Sequence, residues 1–206
     1  TGGDVAIQPD NSTLDPFYED ARFTTEGFFP MFGVPFKYGG AWGAQEDDDK
    51  AHVVVISSNL NDKLFGGKNS IGQTLRLQAN DFRIIGVLGK WHTNPHFYDP
   101  YMGNYASDED VFVPLTTSRA THMGHAGSTD CWGNGNGGPD HLEESPCTWL
   151  QFWVQLDDAA AVSDYTSFLV HYSEDQRTLG RFMRAPNVHL RSMMQWLAFR
   201  KVVPSD

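Results

Sequence analysis

Four consecutive β-branched residues, Val53-Val54-Val55-Ile56, restrict what this chain can fold into more than any other feature. β-branched side chains are stiff at χ1 and fit a pleated surface, so an unbroken run of them predicts a strand buried on both faces. Ser57 or Ser58 can cap a following helix by accepting a backbone N–H bond. Leu60 and Leu64 stack one turn apart on that helix, beside Phe65, and Gly66-Gly67 supplies the left-handed backbone that stops it. Ile71-Gly72 then turns into the strict alternation of residues 74–78, and Ala79-Asn80-Asp81 turns back into residues 82–88. That pattern is a β-hairpin with one buried face. Val111-Phe112-Val113-Pro114 is a further short strand, and residues 5–8 and 19–24 are extended pieces punctuated by Pro9-Asp10-Asn11-Ser12 and Asp15-Pro16.

With 206 residues, 40% of them hydrophobic, the chain can bury a sizeable core in one or two domains. A net charge of -11, with no basic stripe in view, argues against nucleic acid as a partner. No run reaches the roughly 18 apolar residues that span a bilayer. The start at Thr1-Gly2-Gly3 reads as that of a fragment whose targeting information lies elsewhere. Asn11-Ser12-Thr13 is a glycosylation sequon on paper and reads as a turn. The two cysteines, Cys131 and Cys147, bracket a Gly/Asn-rich, acidic loop. With no CxxC present, a disulfide suits them better than a metal site, and it implies an oxidising compartment.

Several groupings invite a chemical reading, and each has a plainer one. Phe28, Phe29, Phe32 and Trp42 could line a solute pocket, but a dense aromatic cluster is ordinarily core. Asp47-Asp48-Asp49 lacks the spacing and glycine of a calcium loop and reads as a solvated turn. His92, His96, His122, His125 and His141 read as surface-loop histidines, with no HExxH to suggest zinc. Ser57 stands at a strand-to-helix turn, as a hydrolase nucleophile would, but the glycines of a nucleophile elbow are missing on both sides. The sequence thus offers no catalytic residue, no cofactor site and no metal site. Later, residues 149–156 alternate as a long strand, and Asp157 or Asp158 caps a helix with Val162, Tyr165, Leu169 and Tyr172 as its buried stripe. Residues 181–187 are extended. Asn187 precedes an amphipathic stretch that places Leu190, Met193, Met194 and Leu197 on one face. It ends in Trp196, Phe199, Arg200 and Lys201, which have the character of a membrane-interface flank or of a core helix.

The residues from Glu26-Gly27-Phe28-Phe29 to Gly33-Val34-Pro35-Phe36 resemble the opening of the periplasmic core domain of MacB-like and FtsX-like ABC transporter permeases. The resemblance continues through His52-Val53-Val54-Val55-Ile56-Ser57, Leu64-Phe65-Gly66-Gly67, Ser70-Ile71-Gly72-Gln73-Thr74-Leu75 and Phe82-Arg83-Ile84-Ile85-Gly86-Val87. Val111-Phe112-Val113-Pro114-Leu115 is similar to a later strand of the family. The resemblance implies an α+β fold of two lobes. One is an inserted, mostly β, Sabre-like lobe, here residues 26–147 with the disulfide-bonded loop. The other is a porter-like β-α-β lobe, here residues 1–25 and 148–206 with its first unit truncated. It implies a domain facing the periplasm, joined through flanking transmembrane helices to the cell inner membrane. Such a domain couples helix motion to substrate export or to a periplasmic partner and performs no catalysis of its own. The implied partners are a cytoplasmic ATP-binding subunit or domain, a periplasmic adaptor and a second permease copy. The other reading is an extracytoplasmic solute-binding module with the aromatic pocket.

Overall fold

The β-branched run forms a strand in which every residue is buried, from Val53 to Ile56. The computed structural model of the chain describes residues 1–9, 14–99, 103, 105–127, 129–131, 142 and 145–202. The sequon at Asn11 and His141 therefore lie outside the described residues. The chain divides into two compact units, one essentially Thr1–Thr129 and the other drawn from Asp130 onward.

The first unit is built on seven strands: β1 (Gly2–Gln8), β2 (Phe17–Thr24), β3 (Phe36–Gly39), β4 (Val53–Ile56), β5 (Thr74–Leu77), β6 (Asn80–Leu88) and β7 (Val111–Pro114). Their order is β3-β6-β4-β7-β2-β1-β5, and β5 pairs again with β6. Six strands thus form a closed circuit of hydrogen bonds, a small mixed barrel, with β3 added on the outside of β6. β4 lies in that circuit parallel to β6 and antiparallel to β7. This corrects one expected grouping. Within residues 1–25, β1 and β2 do not stand apart from the strands that follow, because β1 pairs with β5 and β2 runs parallel to β7.

Side-chain alternation fills the barrel. Val54 and Ile56 of β4, Leu75 and Leu77 of β5, Ile84 of β6, and Val111 and Val113 of β7 share one interior cluster with Val5, Ile7, Phe23 and Phe82. Each such side chain contributes roughly 1.5–3 kcal/mol on leaving water. α3 (Ser58–Phe65) closes over the cluster with Leu60. Its start and stop are local chemistry: Ser57 Oγ accepts the Leu60 N–H at 3.0 Å, and Gly66 ends the helix at φ +60°. The opposite face of β7 presents Phe112, whose ring lies 5.8 Å from Phe28 and 5.7 Å from Phe29. These belong to α1 (Phe28–Met31), and with Trp42 and Tyr98 they form a second, aromatic layer. α2 (Ala44–Asp48) and α4 (Leu115–Ala120) complete the unit.

In the second unit, β8 (Asp130–Cys131) and β9 (Cys147–Thr148) pair antiparallel, and Cys131 and Cys147 are joined by a disulfide. α5 (Ala159–Thr178) is capped by Asp158, which accepts the Ala161 N–H at 2.8 Å. α6 (Met193–Phe199) starts at Ser192, with Gln195 completing a capping box, so it begins later than Asn187 suggested. Two expectations fail here. Residues 149–156 form no strand, because alternation alone makes none without a neighbouring backbone to bond, and Phe152 is 77% exposed. The Val162–Tyr172 stripe of α5 is not buried either: none of the helix's residues is, and Val162 and Tyr172 are 42% and 43% exposed.

Two glycines with similar backbones should respond differently to alanine. A Cβ on Gly66 (φ +60°) would meet nothing within 4 Å, so Gly66→Ala should cost about 1 kcal/mol of left-handed strain. A Cβ on Gly39 (φ +63°) would lie 2.0 Å from the Ile85 carbonyl oxygen, on backbone that cannot swing away. Gly39→Ala should therefore lower the urea midpoint well beyond Gly66→Ala; equal midpoints would contradict this account of the β3–β6 approach.

Candidate functional site

β2 turns Ala21 and Phe23 into the barrel, which leaves Arg22 on the outer face. A guanidinium cannot lose its proton in a protein, so a buried one needs carboxylates around it. Arg22 is 4% exposed, and the stretch between β6 and β7 supplies both partners. Its Nη1 donates to Asp99 Oδ2 at 2.6 Å, Nε donates to Glu109 Oε1 at 3.0 Å, and Nη2 donates to the same oxygen. The Tyr98 hydroxyl donates to Glu109 Oε2 at 2.6 Å, and the Tyr98 ring lies under the guanidinium at 5.1 Å. His96, 1% exposed, places Nε2 3.5 Å from Glu109 Oε1.

The electrostatics follow from burial set against pairing. Burial opposes the Glu109 charge, but Arg22 and then His96 outweigh it and hold the carboxyl at about 2. Burial likewise opposes the charge on Arg22, while Glu109 and Asp99 keep it fixed. Burial and the adjacent Glu109 carboxylate push the Tyr98 phenol far up, so it stays a donor.

Beside this cluster lies a polar cavity of about 290 Å³ lined by Ser57, Trp91, His92, Asp108 and Asp110, among others. Serine, histidine and aspartate in one cavity invite a hydrolase reading, but the bonds run otherwise. Ser57 Oγ donates to Asp110 Oδ1 while it accepts the Leu60 N–H, so its proton faces a carboxylate rather than an imidazole. His92 Nδ1 is 2.6 Å from Asp108 Oδ2, and its side chain is 65% exposed. Ser57 is thus a helix cap tied to the residue before β7, and no histidine among the described residues bonds its hydroxyl.

The other singled-out residues fall as follows. Phe28, Phe29, Phe32 and Trp42 pack ring against ring at 4.9–5.7 Å, so side chains occupy the space a solute would need. Asp47 is not a solvated turn: it is 8% exposed and accepts the Glu26 N–H at 3.0 Å and the Trp42 Nε1–H at 3.1 Å. Burial, with Glu26 adding to it, pushes its carboxyl up to about 6. His96 is no surface histidine, whereas His122 is exposed and His125 half-buried. Among the described residues no three His, Cys, Asp or Glu side chains gather as a metal site. The Arg22 cluster escaped sequence reasoning: Arg22 lies 77 residues from Asp99 and 87 from Glu109, and nothing local distinguishes a buried arginine in a strand from an exposed one.

The family described as the MacB-like periplasmic core domain matches residues 5–167. The macrolide export ATP-binding/permease protein MacB of Mannheimia succiniciproducens is 29% identical over 92 residues, 45% of this chain and 13% of that protein. The protein of the same name from Bdellovibrio bacteriovorus is 29% identical over 103 residues, 50% of this chain and 13% of its own length. The chain thus spans about an eighth of the curated relatives it matches. The crystal structure of the periplasmic region of MacB from Actinobacillus actinomycetemcomitans superposes with a TM-score of 0.51 at 16% identity, covering 84% of this chain and 64% of that one. That likeness is one of fold.

Arg22→Met should destabilise the chain by about 3–5 kcal/mol, since it leaves two buried carboxylates facing each other. A loss under 1 kcal/mol in urea would mean that the cluster is not what holds this face. The pH dependence has a definite sign. Glu109, depressed from the usual 4.5 to about 2, contributes stability that is in place above about pH 4.5 and lost as the pH falls toward 2. Asp47, raised from 3.8 to about 6, contributes stability that is in place below 3.8 and lost as the pH rises through about 6. Glu109→Gln should flatten the acid limb of the urea midpoint against pH, and Asp47→Asn the limb near pH 6.

Proposed function

The chain belongs to the family of MacB-like periplasmic core domains, and from that premise we propose that it is the extracytoplasmic domain of a MacB/FtsX-type ABC transporter permease of the cell inner membrane. Its role is to couple transmembrane-helix motion to substrate export or to a periplasmic partner. The observation that carries this reading is the family match across residues 5–167, which takes in the barrel from the middle of β1 onward and part of α5. A second fact supports it: the polar residues one would test for catalysis are committed to structure, Ser57 to a cap and Asp110, and Glu109 to Arg22.

In this reading the domain performs no catalysis, and ATP is hydrolysed by a cytoplasmic subunit or domain. The barrel stands for the inserted β lobe, and residues 148–206 for part of the porter-like lobe. A periplasmic adaptor and a second permease copy are the remaining proposed partners. Packed elements transmit movement as rigid bodies, so the mechanism asks for stiffness rather than for a reactive side chain.

A flexible Gly/Ser linker inserted after Lys201 in the full-length permease should abolish transport and leave ATP hydrolysis running. Alanine at Ser57, His122 or His125 should leave transport largely intact. Normal transport by the linker variant, together with a dead alanine variant, would replace the mechanical reading with a site-based one.

A further inference from the structure

Charge is unevenly distributed along this acidic chain. Residues 176–202 contain six of its 15 basic residues, Arg177, Arg181, Arg184, Arg191, Arg200 and Lys201, and none of its 26 acids. The end of that stretch also exposes large apolar side chains: Met194 is 61% and Phe199 56% exposed. Cations and apolar groups meet there directly. The Arg191 guanidinium lies over the Phe199 ring at 4.1 Å, and the Trp196 and Phe199 rings stack at 5.8 Å. Leu197 and Val202 are buried and Trp196, Arg191 and Arg200 half-buried, so the segment is anchored from within while Met194, Phe199 and Lys201 stand exposed. No helix among the described residues is long and apolar enough to cross a membrane.

We propose that α6 and its flanks, residues 191–201, form an interfacial element that binds anionic phospholipid surfaces, with Arg191 and Lys201 meeting phosphates and Met194 and Phe199 entering the acyl boundary. Charge complementarity selects this occupant. Acid-free, basic and aromatic is the combination an anionic bilayer surface attracts, through counter-charge and through burial of apolar tips. A neutral apolar partner would give the cations no role. The inference goes beyond the permease reading and does not depend on it, since it concerns the surface this segment lies on and not what the domain transmits.

The test is co-flotation of the chain with vesicles of phosphatidylglycerol and phosphatidylcholine, compared with phosphatidylcholine alone. Binding is expected to the anionic vesicles only, and to be lost in about 1 M salt, where the screening length falls to about 3 Å. Arg191→Gln with Lys201→Gln should weaken partitioning roughly 30-fold. Met194→Ser with Phe199→Ser should weaken it roughly tenfold or more. Thermal midpoints that match the parent show that the variants are folded, and the salt and lipid comparisons on the parent need no variant. Equal binding to neutral vesicles, no binding to either, or salt-sensitive self-association in place of vesicle binding would overturn the proposal.

Discussion

A guanidinium taken out of water loses a large hydration energy, and it stays folded away only where carboxylates replace that water. Arg22 meets this condition with Asp99 and Glu109, and much of the first unit is arranged by it. Among its described residues the stretch between β6 and β7 contains no strand or helix, so no ladder within it holds it. It is held where Asp99 and Glu109 reach β2, and where Tyr98 bonds Glu109 and enters the aromatic layer with Phe28. One ion cluster thereby fixes a long connection against the barrel wall and sets the path into β7. The same arrangement depresses Glu109 and raises Tyr98, which keeps the Glu109 carboxylate an acceptor and the Tyr98 hydroxyl a donor.

The barrel is the other half of that arrangement. Closing six strands on themselves leaves no open edge among them, and β3 alone extends the sheet. The parallel pairs β2–β7 and β4–β6 force long crossovers, because strands running the same way cannot be joined by a tight turn. α3 and β5 carry the chain from β4 to β6, and everything from α1 to β6 carries it from β2 to β7. Such a body is stiff by construction, which suits the proposed role of a part that moves as a whole.

The two units contrast in how they meet solvent. The first buries its hydrophobic side chains from both faces of β4 and β7. The second leaves α5 without a buried residue and Met183 85% exposed. A cavity of about 570 Å³ in it is lined by Cys131, Phe182, Met183 and Val188 among others, from the disulfide-linked hairpin and the segment after α5.

What the sequence determined by itself lies where the physics is local. β4, the Ser57 cap, α3, its glycine stop and the β5–β6 hairpin could all be read from neighbours a few positions apart, because rotamer stiffness, capping and turn geometry act over that range. The Cys131–Cys147 pair was legible for the same reason, being two sulfurs in a short stretch without a metal motif. Tertiary structure decided the rest. It drew β1 and β2 into the barrel through pairings with β5 and β7, and left the alternation of residues 149–156 without a ladder. It also buried Asp47 and His96, which read as solvated, and Arg22, Asp99 and Glu109, which nothing local marks. Burial and partnership across 20 to 90 residues are properties of the assembled chain: a carboxylate's surroundings, not its neighbours in sequence, decide whether it faces water or an arginine.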